Sequence, residues 1–144
     1  MEMNIQNEEQ LPILVDRIMN MISQSDTFAT VICLEGDLGA GKTTLSKAWA
    51  QYLGISETVT SPTFVILKEY ETAHDQYKKL IHIDAYRLSS KEELEYLGWE
   101  QLLSDRQNII LLEWPSMVKG ISMPHVYTLS IEINKDHSRT FNFK

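Results

Sequence analysis

The run GDLGAGKTT, Gly36 to Thr44, constrains this chain more than any other feature. It matches G-x-x-x-x-G-K-[ST] at every fixed position, with the apolar, β-branched run ATVICLE before it and an amphipathic segment starting near Lys42. Each residue type has a reason. Gly36, Gly39 and Gly41 open backbone conformations closed to other residues, so that backbone N–H groups can ring a phosphate. The helix that follows adds roughly half a positive charge at its first turn. Lys42 brings a full charge to the outer phosphates, the Thr43 hydroxyl suits one place in an octahedral magnesium shell, and Thr44 adds a second hydroxyl. A chance glycine turn between strand and helix has no use for that lysine.

The remaining pattern describes what the loop is built into. At 144 residues the chain is one domain, 1–144, with material for a single core. Leu11, Leu14, Val15, Ile18, Met21 and Ile22 form a stripe at helical spacing. Pro12 belongs in the first turn, which places the helix start at about Glu9 to Leu11 and weighs against a capping pair of Asn7 with Gln10. The helix after the loop turns Leu45, Ala48, Trp49, Tyr52 and Leu53 to one side and stops at Gly54. TFVILKEY and KLIHIDAY read as strands of a hairpin, and SSKEELEYLGWEQLL as a serine-capped helix, or two short ones broken at Gly98, placing Leu94, Leu97 and Leu102 for burial. NIILLEW, the most apolar run, predicts a central strand stopped by Pro115. HVYTLSIEIN and RTFNFK alternate around KDHS as a closing hairpin. The fold class is α/β: a mixed sheet flanked by helices.

Charge and composition exclude several roles. Acids outnumber bases 20 to 13, a net charge of -7, which argues against unaided nucleic-acid binding and for a partner with a basic surface. No stretch has the 18 or so uncharged apolar residues of a membrane helix, and MEMNIQNEEQ lacks the basic start and apolar core of a secretory signal. A cytoplasmic protein without membrane contact is expected. The single cysteine, Cys33, lies in an apolar run and reads as a buried thiol.

A nucleotide site also needs an acid near the metal. Glu113 closes NIILLE and Asp84 closes LIHID; one can hold the metal while the other orients water, since a carboxylate ending an apolar strand is expensive to bury without a cation. In TSPTF, Pro62 keeps Ser61 extended and presents the Ser61 and Thr63 hydroxyls; Thr63 is either a switch residue reaching metal or terminal phosphate or a polar strand start. Arg87 is either a stabiliser of transferring charge or a surface residue. His74, His125 and His137 lack metal-ligand spacing, and NKDH, Asn134 to His137, fails the guanine-selecting N-K-x-D pattern and reads as a turn. Adenine is therefore preferred over guanine.

In this order and spacing, GDLGAGKTTL, SPTF, HIDAYRL, EELEYLGWEQLL and LLEW closely resemble the bacterial TsaE (YjeE) family from about Ile32 to Pro115. The resemblance implies a P-loop NTPase-like fold with a mainly parallel sheet and a C-terminal antiparallel hairpin. It implies a small ATPase of tRNA threonylcarbamoyladenosine biosynthesis, using ATP and Mg2+, and acting with a TsaB–TsaD heterodimer, with tRNA met only indirectly through that complex. Carried over by position, phosphate contacts fall on Asp37, Leu38, Gly39, Ala40, Gly41, Lys42, Thr43 and Thr44, and magnesium on Thr43 and Glu113. A catalytic or water-orienting role falls on Asp84, the switch on Thr63, and the aromatic neighbour is Trp114. Two parts depart from the family's pattern. NEEQLPIL is hard to match to the segment that packs the adenine, and the C-terminal hairpin carries no motif. A small kinase acting on a metabolite or RNA is the alternative; four arginines in 144 residues leave little for its lid.

Overall fold

The computed structural model describes residues 1–37, 39–62 and 65–144. Leu38, Thr63 and Phe64 lie outside the described residues, and with them the expected switch threonine and one member of the expected phosphate loop.

Continuous apolar runs become strands covered on both faces. Among the described residues β1 (Glu2–Ile5), β2 (Thr30–Glu35), β3 (Leu67–Glu71), β4 (Lys79–Asp84), β5 (Asn108–Glu113), β6 (Val126–Ile133) and β7 (Arg139–Phe143) form one sheet. Their order is β1-β7-β6-β2-β5-β4-β3. The neighbours β6, β2, β5 and β4 run parallel, whereas β3, β7 and β1 join antiparallel, so both expected hairpins are present. Every residue of β5 is buried, as a central parallel strand requires.

Alternation along these strands divides two cores. Ile32, Leu34, Leu80, Ile109 and Leu111 face α1 (Leu11–Met21) and α2 (Lys42–Tyr52), packing with Leu14, Ile18, Leu45 and Trp49. Val31, Cys33, Ile81, Ile83, Ile110 and Leu112 face α3 (Lys91–Tyr96) and α4 (Trp99–Leu103) through Leu94, Trp99 and Leu103. Each fully buried Leu or Ile contributes about 1.5–3 kcal/mol, so this two-sided burial is what holds the strand ends in place.

Four local expectations change. Asn7 and Gln10 do form a capping box, on a 3-10 turn (Glu8–Gln10) that precedes α1. Pro12 then falls in the first turn of α1, so the cap and the proline do not compete. The first strand, EMNI, has too little apolar alternation to announce itself and owes its form to pairing with β7. Among the described residues of TFVILKEY the strand begins at Leu67: Val65 and Ile66 both donate to Pro62 O, at 3.0 and 2.6 Å, and Ile66 has φ 68°. Leu97 is 46% exposed, because Gly98 at φ 100° redirects the chain and hands the core to Trp99 and Leu103. Among the described residues no helix is long and apolar enough to cross a membrane.

Candidate functional site

The glycine loop leaves the end of β2 and enters α2. Gly36 lies so close to β6 that a Cβ there would stand 3.1 Å from Ile131 O and 3.3 Å from the Ala40 Cβ, so a larger residue would have to push its neighbours aside. Gly39 and Gly41 are the opposite case. A Cβ on either would meet open space, but their φ angles of 81° and 100° belong to glycine. Asp37 O accepts from Ala40 N at 3.1 Å, and Gly41 O accepts from Leu45 N at 3.0 Å as the helix begins.

Two neighbouring parallel strands deliver the acids. Asp84 and Glu113 are in register at the carboxyl ends of β4 and β5, on the face toward α2, and both are buried. Asp84 Oδ1 accepts the Tyr86 amide at 3.0 Å. Glu113 Oε2 lies 2.6 Å from His82 Nε2, and His82 is completely buried. A carboxylate only accepts, so Nε2 is the donor in this contact. Ser46 Oγ, which donates to Lys42 O at 2.9 Å, is 3.3 Å from the same nitrogen. A polar chain therefore runs from the first turn of α2 through Ser46 and His82 to Glu113. His82 is the residue sequence reasoning passed over. Its signal was an ionisable ring in an apolar strand, two residues before an acid and hence on the same face.

Lys42 is buried among these groups. Its Nζ donates to Gly36 O at 2.8 Å and stands 3.9 Å from the centroid of the Trp114 ring. Desolvation pulls the ammonium below the ordinary lysine range, while Glu113, Asp84 and Asp37, in that order, draw it back up. Trp114 leaves β5 with φ 58°, a left-handed backbone that bulky residues rarely adopt, and its ring also meets Tyr86 at 5.1 Å between centroids.

These pieces close around one pocket of about 270 Å³, lined by Gly39, Gly41, Lys42, Thr43, Ser61, Asp84, Glu113 and Trp114. Of the phosphate-loop residues expected from the sequence, Ala40, Gly41 and Thr44 line a second pocket of about 260 Å³ next to it. Ile5, Leu11 and Phe141 give this second pocket an apolar wall; Gln6, Asn7, His137 and Arg139 give it polar groups. Asp37 is exposed and borders shallow hollows on the outer side of the loop with Gly36. Arg87 is exposed. Asn134 to His137 is a turn, as expected: Asn134 N donates to Ser138 O at 2.8 Å, and the Asp136 carboxylate is held below its usual range by the Ser138 hydroxyl and amide.

The donor set suits a hard cation. Two buried carboxylates and a threonine hydroxyl are oxygen ligands of the kind magnesium takes. Among the described residues no three of His, Cys, Asp and Glu gather to hold a metal.

A glycine loop between a parallel strand and a helix, its lysine facing acids at the ends of the adjoining strands, defines the P-loop class of folds. The chain belongs to the TsaE family: the family model described as threonylcarbamoyl adenosine biosynthesis protein TsaE matches residues 5–141, well beyond the central motifs and including the N-terminal segment and most of the hairpin. The family acts in tRNA threonylcarbamoyladenosine biosynthesis. A relative of that name from Aquifex aeolicus is 36% identical over 140 residues, covering 96% of this chain and 91% of the relative. One from Rickettsia felis is 32% identical over 94% of this chain and 74% of its own length. One from Bacillus subtilis reaches 45% over 89 residues, 62% of this chain and only about half, 52%, of the relative. The crystal structure of Bacillus subtilis YdiB superposes with a TM-score of 0.76 at 28% identity, covering 99% of this chain and 83% of that one.

Proposed function

We propose that this chain binds ATP with magnesium, hydrolyses it slowly alone, and uses it to drive a TsaB–TsaD heterodimer that modifies tRNA. One observation carries the reading: a single pocket unites the loop lysine and threonine with both strand-end carboxylates. Lys42 holds the outer phosphates. Thr43 and Glu113 would hold magnesium, which supplies charge to neutralise the phosphates when bound. Asp84, beside Glu113 and in register with it, orients the attacking water. His82 keeps one oxygen of Glu113 engaged, leaving the other for the pocket. The second pocket, with its apolar wall from Ile5, Leu11 and Phe141, takes the base; nothing in it repeats the guanine-reading pattern, which favours adenine. Thr63 remains the proposed switch residue, and a cytoplasmic location accompanies the tRNA pathway.

The test combines the chain with nucleotide, tRNA and the heterodimer, and counts modified tRNA. Many rounds are expected with the parent, about one with Glu113→Ala, and no ATP turnover with Lys42→Ala. Phosphoryl transfer to an added acceptor, or tight GTP binding with ATP ignored, sinks the reading.

A further inference from the structure

The C-terminal hairpin carries no sequence motif, yet it reaches the glycine loop from 99 and 100 residues away. Arg139, the first residue of β7, donates from Nε to Ala40 O at 3.1 Å and from one terminal nitrogen to Gly39 O at 3.5 Å. Its other terminal nitrogen donates to His137 O at 2.6 Å, which ties the guanidinium to the hairpin's own turn. A planar fork bound to carbonyls on both sides is a rigid bracket, which a lysine cannot imitate.

What the bracket holds is the direction of two peptide units. In a trans peptide the C=O and the following N–H point opposite ways, and no cis bond occurs among the described residues. Fixing the Gly39 carbonyl fixes the Ala40 amide, which donates to Asp37 O. Fixing the Ala40 carbonyl toward Arg139 turns the Gly41 amide away from Arg139, and Gly41 lines the pocket of Lys42 and Thr43 as well as the second pocket. Gly41, with φ 100°, has no side chain to restrict that plane. We propose that Arg139 is a positioning residue for phosphate binding: through the Ala40 and Gly39 carbonyls it aims the Gly41 amide at the polyphosphate chain. The proposal rests on the reading that this loop binds nucleotide phosphates.

Arg139 also lines the second pocket, so a direct contact with the base is the competing role. Binding of inorganic tripolyphosphate and of adenosine, measured separately by calorimetry on parent, Arg139→Gln and Arg139→Lys, separates the two. The expected result is a loss of roughly tenfold in tripolyphosphate affinity for both variants, larger than any loss for adenosine. In ligand-free protein the Gly41 amide resonance should shift or broaden, while the resonances of β5 stay in place. If the parent binds tripolyphosphate and both variants match it, or if the loss falls on adenosine alone, the assignment of Arg139 is overturned and phosphate binding by the loop stands. A parent that binds neither tripolyphosphate nor ATP overturns both. Unfolding of Arg139→Gln leaves Arg139→Lys to decide, since it keeps charge and stem but not the two-sided bracket.

Discussion

Lys42→Met should be more damaging to stability than removal of either acid, and part of that damage should be reversible by a second substitution. Lys42, Asp84 and Glu113 form a buried cluster of one positive and two negative charges. Asp84 and Glu113 are paired across neighbouring strands, whose spacing is about 5 Å. At an effective dielectric of about 20, two unit charges at about that distance interact by about 3 kcal/mol. Lys42, taken at the same separation, attracts both acids, so before desolvation two attractions oppose one repulsion and leave about 3 kcal/mol of net attraction. Lys42→Met leaves the repulsion alone. The swing approaches 6 kcal/mol, and release from burying the ammonium offsets about half, for a net loss of about 3 kcal/mol. Glu113→Gln deletes one attraction and the one repulsion together, so its loss should stay below about 1 kcal/mol. The double variant should then be about 2–3 kcal/mol more stable than Lys42→Met. Urea unfolding at pH 7, free of nucleotide and divalent metal, reads all four proteins. If Glu113→Gln fails to rescue Lys42→Met, the three groups are not electrostatically coupled and the argument is wrong.

Other perturbations probe separate links. Trp49 and Trp99 are fully buried, while Trp114 lies against Lys42, so ATP that draws Lys42 toward phosphate should change the fluorescence of Trp114; the same change in Trp114→Phe would disprove this. Gly41→Ala should cost about 1–2 kcal/mol from backbone strain alone and weaken nucleotide binding. Gly54→Ala should cost more and spare the nucleotide, because its Cβ would also stand 2.9 Å from that of Ala73; thermal unfolding with the opposite order refutes the comparison. Burial pushes the Cys33 thiol from 9.0 up to about 12, so the native protein should resist thiol reagents at pH 8. Above pH 9 the unfolded thiol ionises first, so the Cys33 contribution to stability is lost progressively between pH 9 and about 12; Cys33→Val should lack that slope.

Much of the candidate site was legible because its chemistry is local or sits at strand ends. The loop announces itself through residue types at fixed spacing, and Asp84 and Glu113 through their position after apolar runs. Their register was not legible, since neither strand carries the identity of its neighbour. His82 and Arg139 escaped for the same reason: a histidine in a strand and an arginine in a hairpin gain meaning only from partners 31 and 99 residues away. Leu97 misled because helical spacing was carried across Gly98, where the chain changes direction. In β1, pairing with β7 overrode a weak local pattern.

The bond between His82 and Glu113 has a consequence for how the sheet finds itself during folding. In β4 and β5 apolar side chains lie on both faces, and the last five residues of β4 and all six of β5 are buried. A strand greasy on both sides can slide by one position with little loss of burial, so hydrophobicity alone leaves the pairing degenerate. The slide would turn His82 and Asp84 to the opposite face from Glu113, leaving a carboxylate and an imidazole each stranded in a core without its partner. The acids and the histidine thus act as a proofreading key: a chain that misaligns these strands is penalised by the same groups that would have lined its pocket.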